Sequence, residues 1–159
     1  MANVNSTQHA ATVQQGGSLG DAQWLWGEYE IAAALSSADT ITFFEAPAGF
    51  TCLMGWLIGD DLDTGIETLE IDVGDASDAD RFLNSGVITG DAVTGIKPAA
   101  SIWMPLTGIG ILSPHTYTEA TNVIGTITAA AATGGTGTIG VRMLGTIFDP
   151  RVSPPSAPV

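Results

Sequence analysis

The sequence predicts an all-β fold, an antiparallel β-sandwich of jelly-roll type with a mobile N-terminal arm. Three observations carry this. Short runs of alternating or continuous apolar residues, about eight of them, are separated by Gly-, Pro- and Asp-bearing turns. No long stretch has the 3.6-residue apolar period of an amphipathic helix. The single cysteine, Cys52, lies inside an apolar run, so the fold is not held by an internal disulfide and needs a hydrophobic core. With 159 residues, one domain with a real core is expected.

In chain order, residues 1–21 (MANVNSTQHAATVQQGGSLGD) are polar and lack an apolar period. They predict an arm that is mobile alone and orders on a partner, as an added strand. The body, 22–149, begins at Trp24-Leu25-Trp26. Tyr29, Ile31, Ala33 and Leu35 alternate with Glu28, Glu30, Ala32 and Ala34, which suits a half-buried strand. Ser36–Asp39 is a turn, and Thr40–Ala46 is a second strand with Ile41 and Phe43 on one face. Pro47-Ala48-Gly49 is a turn by its residue types, and these short units suggest a hairpin.

Phe50–Ile58 is apolar on both faces, with Leu53 and Leu57 on one and Met54, Trp56 and Ile58 on the other. Such a strand is covered on both sides, in the middle of a sandwich or at a subunit interface. Leu69, Ile71 and Val73 alternate with acids, giving a strand with one wet face. Asp78–Asn84 reads as one helical turn capped by Asp78. Val87–Pro98 is a loop; Ser101–Leu106 and Ile109–Leu112 are short apolar pieces, and Pro105 confines them to an edge or crossing position. Asn122–Ala129 and Thr138–Phe148 read as a terminal hairpin across the Gly134-Gly135 loop, with Ile139, Val141, Met143 and Ile147 on one face. Residues 150–159, with Pro150, Pro154, Pro155 and Pro158, form an extended or disordered tail.

Charge narrows the function classes. Charged residues are 13% of the chain, against about 25% in an average protein. Seventeen acids against four bases give a net charge of −13. Phosphate backbones and anionic lipid repel such a chain, so neither nucleic acid nor a membrane is an expected partner. The long uncharged stretches are broken by Gly, Pro, Thr or Asn and do not read as membrane spans. No basic n-region of a secretory signal precedes Arg81, so synthesis in a cytoplasm is expected. Low charge with this much apolar surface points to burial against other subunits.

No constellation predicts catalysis. Asp63-Thr64-Gly65 matches the core of the aspartic-protease signature, but Asp60 and Asp61 would crowd a dyad that must share one proton. Nine acids lie between Asp60 and Asp80, a solvated rim by default; their spacing completes no calcium loop, so no metal is expected. His9 and His115 have no second histidine at ligand spacing. No nucleophile elbow and no nucleotide-binding glycine motif occur, and no cofactor is expected. Trp24, Trp26, Trp56 and Trp103 suit core or interface packing first and sugar stacking second.

The stretch Asp39–Phe82 resembles small structural proteins of the head-gene clusters of tailed bacteriophages. The shared pattern is the Pro47-Ala48-Gly49 turn, an apolar strand, Asp60–Gly65, Val73-Gly74-Asp75 and Ala79–Phe82. The Ala/Thr/Gly-rich segment Ala129–Phe148 is also similar. The resemblance implies a capsid decoration (cement) protein. Such a protein is typically a homotrimeric knob on the outer surface of a virion, made in the host bacterial cytoplasm, that locks neighbouring major capsid protein subunits together. It implies no catalytic residues. Candidate shell contacts are Asn3, Val4, Thr7, His9 and Val13 of the arm; candidate subunit contacts are Trp24, Trp26, Met54, Trp56 and Ile58. The competing expectation is a tail or fibre component, or a glycan-binding β-sandwich.

Overall fold

The computed structural model describes residues 3–5, 22–60, 62–63, 68–87 and 102–147. Nine strands and one helical turn are found among them: β1 (Asn3–Asn5), β2 (Ala22–Ile31), β3 (Thr40–Ala46), β4 (Phe50–Gly59), β5 (Glu70–Asp75), β6 (Asp78–Val87), β7 (Ile102–Pro105), α1 (Ile109–Leu112), β8 (Thr121–Ala129) and β9 (Gly137–Ile147). They build a β-sandwich. One sheet has the order β1-β3-β8-β5-β6 and the other β2-β9-β4-β7. All pairings are antiparallel except the short β1, which lies parallel to β3.

The pairings are nested: β2 with β9, β3 with β8, β4 with β7 and β5 with β6. The first and last strands of the body therefore lie side by side. This corrects two sequence expectations. β2, β3 and β4 alternate between the sheets, so none of their connections is a hairpin. β8 and β9 also lie in opposite sheets, and residues 130–136 cross between them instead of closing a terminal hairpin. Local periodicity sets which face of a strand is buried; it does not say which strand lies beside it.

The core fills the space between the sheets. Ile41, Phe43, Ile71, Val73 and Val123 come from one sheet and meet Leu25, Phe50, Leu57, Val141 and Met143 from the other, all essentially without solvent exposure. Ile139, Val141 and Met143 are buried together as their alternation predicts, and Ile147 packs against them. Cys52 is a buried free thiol, and burial pushes its pKa up to about 12, so it is an inert core group.

Three local readings change. β4 is open on one face. A β-bulge between Cys52 and Met54 gives Leu53 an extra place, so that Phe50, Cys52, Gly55 and Leu57 point inward. Leu53 and Met54 are 44% and 45% exposed, and Leu53 does not share the face of Leu57. Asp78–Asn84 is strand, not a helical turn. The β5–β6 turn is held by the side chain of Asp75, which accepts from the backbone N–H groups of Ser77 (2.9 Å) and Asp78 (3.1 Å). β2 ends at Ile31, so Ala33 and Leu35 lie beyond it. The expectation for Pro105 holds: it ends β7, the edge strand of its sheet.

Candidate functional site

The outer face of the β2-β9-β4-β7 sheet gathers the five residues predicted as subunit contacts. Register explains how. Trp26 pairs with Arg142 and Arg142 with Trp56, forming a row across three strands. The next row is Trp24, Leu144 and Met54, and the one on the other side is Glu28, Gly140 and Ile58. Each row occupies the outward parity of its strands, while Leu25, Val141 and Leu57 take the inward one. The bulge at Leu53 matters here, because without it Met54 and Trp56 could not share a face with Thr51.

The result is an aromatic groove. The Trp24 and Trp56 rings stack with centroids 5.7 Å apart and planes inclined by 29°. Trp24 is 53% and Trp26 45% exposed. With Trp56 and Arg142 they line an open depression of about 600 Å³. Arg142 Nη2 donates to Glu28 Oε1 at 3.0 Å. Gly140 makes that reach possible, since a Cβ there would stand 2.7 Å from Glu28 Cγ. Large apolar side chains standing exposed side by side mark a contact surface, whereas scattered ones need no explanation. Sequence reading found the tryptophans but missed Arg142, Glu28 and Leu144. The available signal was Arg142 itself, a lone cation between the inward-pointing Val141 and Met143.

Of the predicted arm contacts, Asn3 and Val4 do not join this face. Asn3 and Val4 lie in β1, paired with Thr40 and Ile41 at the edge of the opposite sheet. Thr7, His9 and Val13 lie outside the described residues.

Two aspartates of the acidic segment are not part of a solvated rim. Asp63 is 1% exposed. Its Oδ2 accepts from the backbone N–H groups of Thr68 (2.7 Å), Leu69 (3.2 Å) and Ala132 (3.2 Å), and its Oδ1 from that of Thr133 (3.1 Å). Desolvation alone would raise its pKa, but these donors outweigh it and hold the carboxyl at about 2. A carboxylate buried, ionised and saturated in this way ties two loops together and is unsuited to sharing a proton in a protease dyad.

Asp75 is 4% exposed and is the centre of a second cluster. Arg81 Nε donates to its Oδ2 at 2.6 Å, and Tyr117 Oη to the same oxygen at 3.1 Å. Ser77 Oγ donates to Oδ1 at 2.6 Å. Burial pushes its pKa up, and the Arg81 and Ser77 hydrogen bonds more than reverse this, leaving it at about 2. Tyr117 is shifted upward, first by burial and then by the Asp75 charge. His115 Nδ1 lies 3.2 Å from Arg81 Nη1, and burial followed by the Arg81 charge lowers its pKa. With its Nδ1 facing a guanidinium, the imidazole has no nucleophile to activate there. The cluster closes one end of the sandwich by joining the β5–β6 turn to the segment after α1. Among the described residues no three His, Cys, Asp or Glu side chains converge to hold a metal ion, and no helix is long and apolar enough to cross a membrane.

Comparison with known proteins places this architecture. No protein-family model and no curated protein matches the sequence. Solved structures do match. A chain from the capsid asymmetric unit of cyanophage Pam1 is 26% identical, with a TM-score of 0.66, covering 90% of this chain and 96% of that one. A chain from the capsid of Ralstonia phage GP4 is 18% identical, with a TM-score of 0.73, covering 93% of this chain and 99% of that one. The fold is thus shared, over nearly the whole length of each, with chains found in phage capsids.

Proposed function

We propose that this chain is a non-enzymatic structural protein of a phage virion, and that it cements the outside of the capsid by bridging neighbouring major capsid protein subunits. The observation that carries the proposal is the near end-to-end likeness to a chain of the Pam1 capsid at 26% identity. The nested strand pairing supports a jelly-roll winding, a rigid scaffold common in virus shells. The exposed tryptophan face supplies what such a part needs, an apolar surface held ready for contact.

In this reading the body assembles as a homotrimer through Trp24, Trp26, Met54, Trp56 and Ile58. The arm, 1–21, makes the shell contact; the pairing of residues 3–5 along the chain's own β3 is in keeping with strand addition as its mode. Each bound copy stabilises the closed shell by mass action, because it binds the assembled lattice and not free coat subunits. A net charge of −13 suits the outer surface, away from packaged DNA. Synthesis would be in the host bacterial cytoplasm.

The test is sedimentation of the purified protein with shells of the major capsid protein from the same phage, with and without residues 2–20. Full-length chain should pellet with shells and raise their disruption temperature, and the truncated chain should stay in the supernatant. Absence of the full-length chain from shells would refute cementing; undiminished pelleting without the arm would refute the arm's role alone. A second reading, a glycan-binding module, draws on the same Trp24–Trp56–Arg142 groove. Specific binding on a glycan array that is lost in W56A would favour it.

A further inference from the structure

We propose that His115 pins an acid-sensitive latch at one end of the sandwich: protonation of its imidazole breaks the contact with Arg81 and loosens residues 106–117 from the β5–β6 hairpin. The inference goes beyond the cementing proposal and assumes nothing about a shell.

Residues 106–117 carry the chain through α1 between β7, the edge of one sheet, and β6, the edge of the other. Backbone bonds anchor the two ends. Leu106 N–H donates to the Gly55 carbonyl at 2.9 Å, Gly108 N–H to that of Phe82 at 2.7 Å, and Tyr117 N–H to that of Phe50 at 3.0 Å. Between the last two anchors, Ser113 N–H donates to Ile109 and His115 N–H to Gly110, within the segment itself. Side chains tie the far end to the β5–β6 hairpin. Tyr117 Oη donates to Asp75 Oδ2 at 3.1 Å, and Arg81 Nη1 meets His115 Nδ1 at 3.2 Å. α1 also rests on the stem of Arg81: a Cβ at Gly110 would stand 2.7 Å from Arg81 Cγ. A shift of Arg81 is therefore felt by α1.

This geometry fixes the proton. A guanidinium donates and cannot accept, so Nδ1 is the acceptor and the neutral ring carries its hydrogen on Nε2. The imidazolium has a hydrogen on both nitrogens and nothing left to accept with. Protonation turns the contact into donor against donor and cation against cation. Asp75 and Asp78 face the same guanidinium, at 2.6 Å from Nε and 3.6 Å from Nη1. The Tyr117 ring meets the imidazole edge-on, with centroids 4.8 Å apart. Tyr117 and Cys52 of β4 stay neutral here, because burial raises the pKa of each. Burial and then the Arg81 charge lower the pKa of His115, and the attraction of Asp75 and Asp78 does not outweigh them.

The sign follows. The unfolded imidazole, at its ordinary value of 6.5, takes up a proton before the folded one does. The stability that His115 contributes is fully present above that value and falls as pH drops below it. The carboxyls of Asp63 and Asp75 titrate at about 2, outside this window. The segment under the latch carries Ile109 and Leu112, 62% and 76% exposed, so acid loosens the seat of an apolar pair.

The experiment uses the full chain, H9N, which leaves His115 as the one imidazole, and H115N, whose amide oxygen can accept from Arg81 but does not titrate in this range. NMR of H9N should show the Nε2–H tautomer at pH 7 and titration below 6.5. An Nδ1–H tautomer, or titration at or above 6.5, would overturn the proposal, and this readout stands even if H115N fails to fold. Amide exchange, corrected for its intrinsic pH dependence, should show Gly108 and Tyr117 losing protection between pH 7 and pH 5 in the full chain but not in H115N, while Val141 keeps its own. The same loss in H115N, no loss in the full chain, or a loss shared equally by Val141 would each overturn the latch. Neither readout involves capsid binding, so failure here is distinct from failure of the cementing proposal.

Discussion

Replacing Asp63 by Asn tests whether the acidic segment is structural. The amide keeps one acceptor oxygen but puts an NH2 group in place of the other. If the oxygen takes the position facing Thr68, Leu69 and Ala132, the new NH2 confronts the Thr133 N–H, and that donor is orphaned. Hydrogen bonds to a charged acceptor contribute about 1.5–3 kcal/mol each against about 1 for neutral ones, and a buried orphan costs about 1–3 kcal/mol. Allowing for non-additivity, the loss should be about 3 kcal/mol. With a urea slope of about 2 kcal/mol/M for a domain of this size, the unfolding midpoint should fall by about 1.5 M. The assay is urea unfolding followed by far-UV circular dichroism at pH 7 and fixed protein concentration.

The same pair carries a pH signature. The native carboxyl titrates at about 2, below its ordinary value of 3.8. Its stabilisation is therefore fully present above the unfolded value and is lost as pH falls from there through about 2. The gap between wild type and D63N should be constant from pH 7 to pH 5 and close below pH 4. A variant that unfolds with the wild-type midpoint at pH 7, or a gap that stays open at low pH, would refute the assignment of Asp63 as the tie between these loops.

Three further outcomes are expected. G108A places a methyl group 2.4 Å from the Arg81 carbonyl oxygen and 2.5 Å from the Phe82 carbonyl carbon, so the segment leading into α1 cannot stay against β6. Thermal unfolding should report a loss of about 2–3 kcal/mol. Y117F removes one donor from Asp75, which keeps Arg81 and Ser77; denaturant unfolding should show a loss of about 1 kcal/mol, and a loss above about 3 would mean that the phenol holds more than that carboxylate. The double variant W24A/W56A removes a stacked pair on an exposed face. It should change unfolding by no more than about 1–2 kcal/mol while lowering the native mass measured by light scattering, and a monomeric wild type would defeat the subunit-contact reading.

Much of the architecture was legible because it rests on alternation and turn chemistry. Leu25, Ile71, Val73, Ile139, Val141 and Met143 are inward where period two puts them, and the Pro47-Ala48-Gly49 turn is present, with Gly49 at a φ of 84° that suits glycine. The five contact candidates, drawn from β2 and β4, meet on one face because β9 holds those strands in register. The misreadings share a cause. The bulge at Leu53 carries no Gly or Pro to announce it, and one inserted residue reverses the parity of all that follows. Asp78 looked like a helix cap because an Asp at a turn reads alike for helix and hairpin. The distinction lies in Asp75, whose carboxylate is drawn inward by Arg81 and Tyr117, residues far from it in the chain or on the opposite side of the turn.

By itself the chain determined that it would form strands and which side of most of them would be greasy. Those properties follow from side chains and their immediate neighbours, which act over two or three residues. Only the tertiary structure decided which strand lies beside which, that Asp63 and Asp75 are interior ties, and that three tryptophans and an arginine form one groove. Each of these depends on groups tens of residues apart being brought within a few ångströms, and pairing at that range is fixed by burial of the whole core, a cooperative property that no local pattern encodes.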